Sequence, residues 1–133
     1  MAVSAAPSRE AIEKVVNAYY ASICALDEDG FVNTFAADAE YHDPVGAPPH
    51  IGQAAAREFF SGMASLVESA TITPEATYVG GTSAAVPWRL TARGKNGKTA
   101  SSQGVDVFIV NAEGRIQTAY GYWDAEAFVA ALS

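Results

Sequence analysis

The sequence predicts an α+β domain in which helices come first and a curved, antiparallel sheet wraps around them. Three observations carry this. Apolar residues recur at helical spacing through the first half of the chain. From residue 70 onward the pattern changes to strand-like stretches separated by Gly-containing turns. The chain has 133 residues, half of them hydrophobic, which suits one domain, here taken as residues 1–133, with one core and room for a cavity.

The first seven residues read as a loose arm. A helix is expected from Ser8, which can cap it, with Glu10 in the first turn where negative charge suits the helix dipole. Ile12, Val15, Val16, Tyr19 and Ile23 then share one face, which places Tyr19 toward the interior. A second, short helix is expected from Asp27, with Phe31 and Phe35 one turn apart. "AEYHDP" reads as a short strand halted by Pro44, and "VGAPPHIG" as a loop. Residues 53–67 read as a third helix. Four strands follow, over 70–81, 83–94, 99–110 and 115–123, with Gly80-Gly81, Asn96-Gly97 and Glu113-Gly114 marking the turns. Asp124 can cap a short closing helix.

Composition excludes several classes. Net charge is −7 and the eight basic residues never form a run, so neither a nucleic-acid stripe nor a polybasic membrane anchor is expected. No stretch approaches the length of an apolar transmembrane helix. The opening "MAVSAAPSRE" lacks the basic and apolar regions of a signal peptide. A single cysteine, Cys24, allows no internal disulfide, suits a cytoplasmic protein, and reads as a small core residue. No phosphate-binding loop, dinucleotide fingerprint, nucleophile elbow or zinc motif is present. His42 and His50 read as surface residues, so neither a metal nor a cofactor is expected.

What remains is a set of acids and aromatics in apolar settings. In "GVDVFIV" Asp106 interrupts a buried strand, sharing a face with Gly104, Phe108 and Val110. An ionised carboxylate there is costly. Two readings stand: an Asp satisfied by a neighbouring donor, or a carboxylic acid kept neutral by burial and able to donate. Asp43, before Pro44, is either a turn residue or a base aimed into a cavity. Tyr19 is either a core tyrosine or part of the site. Val86, Trp88 and Leu90 share one strand face and Ala119, Gly121 and Trp123 another; together they could wall an apolar slot.

These segments carry a resemblance. "ADAEYHDPVGAPPHIG", "EKVVNAYYAS" and "GVDVFIVNAEGRIQTAYGYW" resemble the corresponding segments of bacterial Δ5-3-ketosteroid isomerases, of the nuclear transport factor 2-like and SnoaL-like superfamily. The resemblance implies a cone-shaped α+β fold, a homodimer and a steroid-like hydrophobic substrate. It implies Asp43 as general base, Tyr19 and Asp106 as an oxyanion hole, and Trp123 as a pocket wall near the base. Trp88, Val86, Phe60, Phe35 and Phe108 complete the expected substrate contacts. That family is a standard illustration of an Asp base working beside a Tyr and a protonated Asp. Phe35 and Phe60 stand where several relatives have tyrosines, so Tyr19 is expected to be less polarised.

Two alternatives are carried forward: a SnoaL-like polyketide cyclase, and a non-catalytic module that binds hydrophobic ligands. Epoxide hydrolysis ranks lower, since in this fold it uses an Asp-Arg-Asp arrangement and Arg89 falls on the strand face opposite Trp88.

Overall fold

The computed structural model describes residues 6–133; most of the expected N-terminal arm lies outside them. Four helices and seven strands are present among these residues: α1 (Arg9–Ala25), α2 (Glu28–Asn33), β1 (Phe35–His42), β2 (His50–Ile51), α3 (Gly52–Ala64), β3 (Val67–Pro74), β4 (Tyr78–Gly80), β5 (Ser83–Gly94), β6 (Thr99–Val110), β7 (Ile116–Tyr122) and α4 (Ala125–Ala131). The strands form one curved sheet in the order β2-β1-β7-β6-β5-β3, with β4 also on β5.

Local chemistry fixes the helix ends. The Ser8 side chain accepts from the Ala11 N–H to start α1, and Asp27 and Asp124 cap α2 and α4 in the same way. α1 stops at Leu26, which takes the left-handed conformation (φ 52°) and turns the chain into α2.

The sheet departs from the expected antiparallel arrangement in one pair. β1 runs parallel to β7, while the other strand pairs are antiparallel. Turn signals set the direction of strands adjacent in sequence. β1 and β7 come from opposite ends of the chain, so no turn dictates their sense.

Three boundaries also move. Phe35 belongs to β1 rather than to the second helix, though its ring still packs 5.2 Å from that of Phe31. α3 ends at Ala64, because Val67 is buried by pairing with β5 instead of by continuing the helix. The stretch 70–81 is broken at Pro74, which has no N–H for the ladder, so that β3 and β4 pair separately with β5.

Alternation assigns the faces. Ala84, Val86, Trp88, Leu90 and Ala92 of β5 are buried, as are Asp106, Phe108 and Val110 of β6 and Ala39 and Tyr41 of β1. α1 crosses β3, α3 lies on β1 and α4 on β6, so the inner face meets the helices and the core forms between them. The outer face of β6 and β7 keeps apolar side chains half-exposed, with Val105 39% and Tyr122 50% accessible.

Candidate active site

An apolar cavity lies between the helices and the inner face of the sheet, with about 670 Å³ of space free of atoms including its mouth. Its walls come from every layer: Tyr19 and Ile23 from α1 and Leu26 just beyond it, Phe59, Phe60 and Met63 from α3, and Trp88, Leu90 and Ile72 from the sheet. Two acids reach it, Asp43 and Asp106, each 6% exposed or less.

Asp43 follows β1 directly. Tyr41 and Asp43 are two residues apart and point the same way, into the interior. The Tyr41 hydroxyl donates to Asp43 Oδ2 at 2.8 Å, and the Trp123 indole N–H donates to Oδ1 at 2.7 Å. Burial raises the Asp43 pKa, and the bonds from Trp123 and Tyr41, with the charge of His50, hold it back. Trp123 is therefore more than a wall: it holds the carboxylate.

Asp106 sits in mid-sheet, paired with Val86 on one side and Gly121 on the other. The Tyr20 hydroxyl donates to Asp106 Oδ2 at 2.6 Å. Burial, and then the charge of Asp43, push the Asp106 pKa up to about 7, while Tyr20 and to a lesser degree Trp88 hold it down. The acid thus has a hydrogen-bond partner in Tyr20, and its burial favours the neutral form.

Gly121 brings the acids together. A Cβ at this position would lie 2.6 Å from Asp43 Oδ2 and 3.2 Å from Asp106 Oδ1. Any side chain would displace Asp43, so the bare backbone is what lets both carboxyls converge.

Tyr19 lines the cavity, and its hydroxyl is 2.7 Å from that of Tyr41. Tyr19, Tyr41 and Asp43 thus form a continuous hydrogen-bonded chain. Burial holds all three tyrosines, Tyr19, Tyr20 and Tyr41, above the ordinary phenol pKa. Phe35 and Phe60 bring no hydroxyl to Tyr19; the hydroxyl it meets is that of Tyr41.

Of the expected ligand contacts, Trp88, Trp123 and Phe60 line the cavity. Val86, Phe35 and Phe108 do not: each is fully buried in the core. Val86 flanks Asp106, and the Phe108 ring packs 5.0 Å from that of Tyr19, so they shape and dry the site from behind. Arg89 points outward to Glu75, as its strand face implies. His42 stacks on Tyr120, and His50 packs against Phe59 beside the cavity. Among the described residues no group of three His, Cys, Asp or Glu side chains is placed to hold a metal ion. None of the helices is long and apolar enough to cross a membrane.

Two residues of the site escape the sequence reading, Tyr20 and Tyr41. Both left a signal. Tyr20 continues the Ile12–Val16 row at four-residue spacing, and Tyr41 shares a strand face with Asp43.

The SnoaL-like domain family matches residues 16–119. The chain belongs to the SnoaL-like family. Several solved structures are similar to this SnoaL-like chain. It is 27% identical to SalBIII, an epoxide hydrolase/cyclase-like enzyme of pyran ring formation in the polyether salinomycin (TM-score 0.79, covering 90% of this chain and 95% of that one). A Δ5-3-ketosteroid isomerase from Mycobacterium sp. shares the fold at 24% identity (TM-score 0.77, 88% and 95% covered). So does a Mycobacterium tuberculosis protein solved in complex with estradiol-17beta-hemisuccinate, at 23% identity (TM-score 0.78, 87% and 95% covered).

Proposed function

We propose that this SnoaL-like protein is a cofactor-free acid–base enzyme that isomerises Δ5-3-ketosteroids to their conjugated Δ4 isomers. The observation that carries this reading is the convergence of Asp43 and Asp106 over Gly121 in one apolar cavity, where burial pushes the Asp106 pKa up. Asp43 is the base. It removes a proton from the carbon between the ketone and the double bond and returns it at the far end of the dienolate. The C–H electron pair becomes the new double bond, and negative charge develops on the ketone oxygen. Asp106, neutral, and Tyr19 donate to that oxygen. Tyr19 must turn from Tyr41 toward the ligand to do so. The apolar walls make those hydrogen bonds stronger than they would be in water. The steroid derivative bound by the Mycobacterium tuberculosis neighbour supports a cavity of this fold taking such a ligand.

The half-exposed apolar strip of β6 and β7 supports a homodimer formed through the outer sheet face. The charge balance argues for no nucleic-acid partner.

The experiment is direct: incubate the purified chain with a Δ5-3-ketosteroid, with no added metal or cofactor, and follow the ultraviolet absorbance of the conjugated enone. Turnover that disappears in Asp43→Ala supports the reading. No turnover, with phenolic steroids still binding, leaves the hydrophobic-ligand module.

A second reading is favoured by the same pair of acids and by the likeness to SalBIII. A neutral Asp106 can protonate an epoxide oxygen while Asp43 takes the proton of an attacking hydroxyl, closing a ring with protons in balance. Ring closure of an epoxy-alcohol, with the ketosteroid untouched, would select this reading.

A further inference from the structure

Trp88 sits on the inner face of β5 and lines the cavity, only 3% exposed. Its indole nitrogen is fully buried and has no hydrogen-bond partner among the described residues. Native structures rarely leave a buried donor unmatched, and each such group calls for an explanation. The other indole, Trp123, is matched by Asp43.

Counting protons around the cavity sharpens the contrast. With Asp43 ionised, Tyr41 spends its only hydroxyl proton on Oδ2, and Tyr19 must then spend its own on the Tyr41 oxygen. Tyr20 spends its proton on Asp106. The donors left for a ligand are the acid proton of Asp106 and the N–H of Trp88. They are neighbours on the inner face of the paired strands β5 and β6. The Trp88 N–H is close enough to Asp106 to influence its ionisation, yet outside hydrogen-bond geometry. The position is held by glycine: a Cβ at Gly104, the partner of Trp88 across the sheet, would lie 2.7 Å from the indole Cζ2 and 2.8 Å from the Trp123 Cβ.

We propose that Trp88 reads the ligand, donating its indole N–H to the same oxygen that Asp106 engages. The cavity then selects molecules with an acceptor oxygen beside these two residues, above all one bearing negative charge, over apolar molecules of equal shape. Unlike Tyr19, Trp88 has no hydrogen bond within the protein to give up in doing this. The inference rests on the reading above only in requiring that the ligand carry such an oxygen.

The test is binding of two probes, β-naphthol and β-methylnaphthalene, followed by fluorescence titration of wild type and Trp88→Phe. Phenylalanine keeps an apolar ring and removes the donor. The expected result is a loss of about 10- to 100-fold for β-naphthol with less than about twofold change for β-methylnaphthalene. Equal changes for both probes, or none for either, overturn the proposal. Wild type binding neither probe overturns the reading of the cavity as well. A second measurement needs no variant. The sequence has two tryptophans, so proton NMR shows two indole N–H signals. Saturation with β-naphthol should move one downfield and slow its exchange with water, while leaving the Trp123 signal in place. No movement contradicts the assignment even if Trp88→Phe does not fold.

Discussion

The Tyr20 hydroxyl donates to Asp106 Oδ2 across 2.6 Å, joining α1 to the middle of the sheet. The bond does two things at once. It satisfies a buried acid, and it leaves Oδ1 on the side of Gly121 and Asp43. Tyr20 does not line the cavity, so its part is to position Asp106 rather than to touch a ligand.

Tyr20→Phe should therefore be felt first as a change in Asp106. The hydroxyl favours the ionised form, so its loss should move the Asp106 pKa upward from about 7. The alkaline limb of the pH–rate profile, where neutral Asp106 is lost, should shift to higher pH, and urea unfolding should show a loss of about 1–3 kcal/mol. An unchanged limb would mean that the bond is only structural.

Stability should depend on pH with a sign opposite to that of a salt-bridged carboxylate. The Asp106 pKa rises from 3.8 unfolded to about 7 folded. Between those values the folded state holds a proton that the unfolded state has released. Folding is thus most favoured, for this group, below about pH 4, and its contribution is lost as pH rises through 7, on the order of 4 kcal/mol in all. Asp106→Asn removes the charge and keeps an acceptor for Tyr20. It should unfold at higher urea than wild type at pH 8, match it near pH 4, and lose activity. Denaturant midpoints across pH check this.

The fold was legible because its signals are local. Ser8, Asp27 and Asp124 announce helix starts, and period-two patterns with Gly turns announce β5, β6 and β7. The parallel β1–β7 pair was not legible, since it joins distant segments with no turn between them. In the site, Asp106 stood out as an acid in an apolar run, while Asp43 and Tyr19 were singled out by the family resemblance. Tyr20 and Tyr41 did not, because a tyrosine looks like core until its hydroxyl has a partner. Val86, Phe35 and Phe108 were misplaced for a related reason. Facing inward does not decide between lining a cavity and backing it; the helices above decide that.

Asp43→Asn should reduce activity by about 10²–10⁴-fold, as removal of a general base does. It should also lower the Asp106 pKa, because the Asp43 charge is one of the forces raising it. The paired readout separates loss of a base from loss of the fold.

Tyr41→Phe cuts the chain between Tyr19 and Asp43. Tyr41 favours ionised Asp43, so the Asp43 pKa should rise and the acidic limb of the profile, where the base is lost to protonation, should move to higher pH. Tyr19, freed from Tyr41, should show tighter binding of phenolic ligands than in wild type, read by titration. An unmoved limb would remove Tyr41 from the account.

Gly121→Ala should displace Asp43, whose Oδ2 stands 2.6 Å from the added methyl. Activity should fall at least about 100-fold, since small displacements of a catalytic group have effects of that size. The circular dichroism spectrum should be preserved.

The central claim is that one cavity holds an ionised Asp43 and a neutral Asp106 near neutral pH. Carbon NMR titration of labelled aspartate carboxyls tests it most directly. The account predicts one carboxyl with a midpoint of about 7, absent in Asp106→Asn and shifted downward in Asp43→Asn. An Asp106 signal that titrates in the ordinary carboxylate range, near 4, would contradict it.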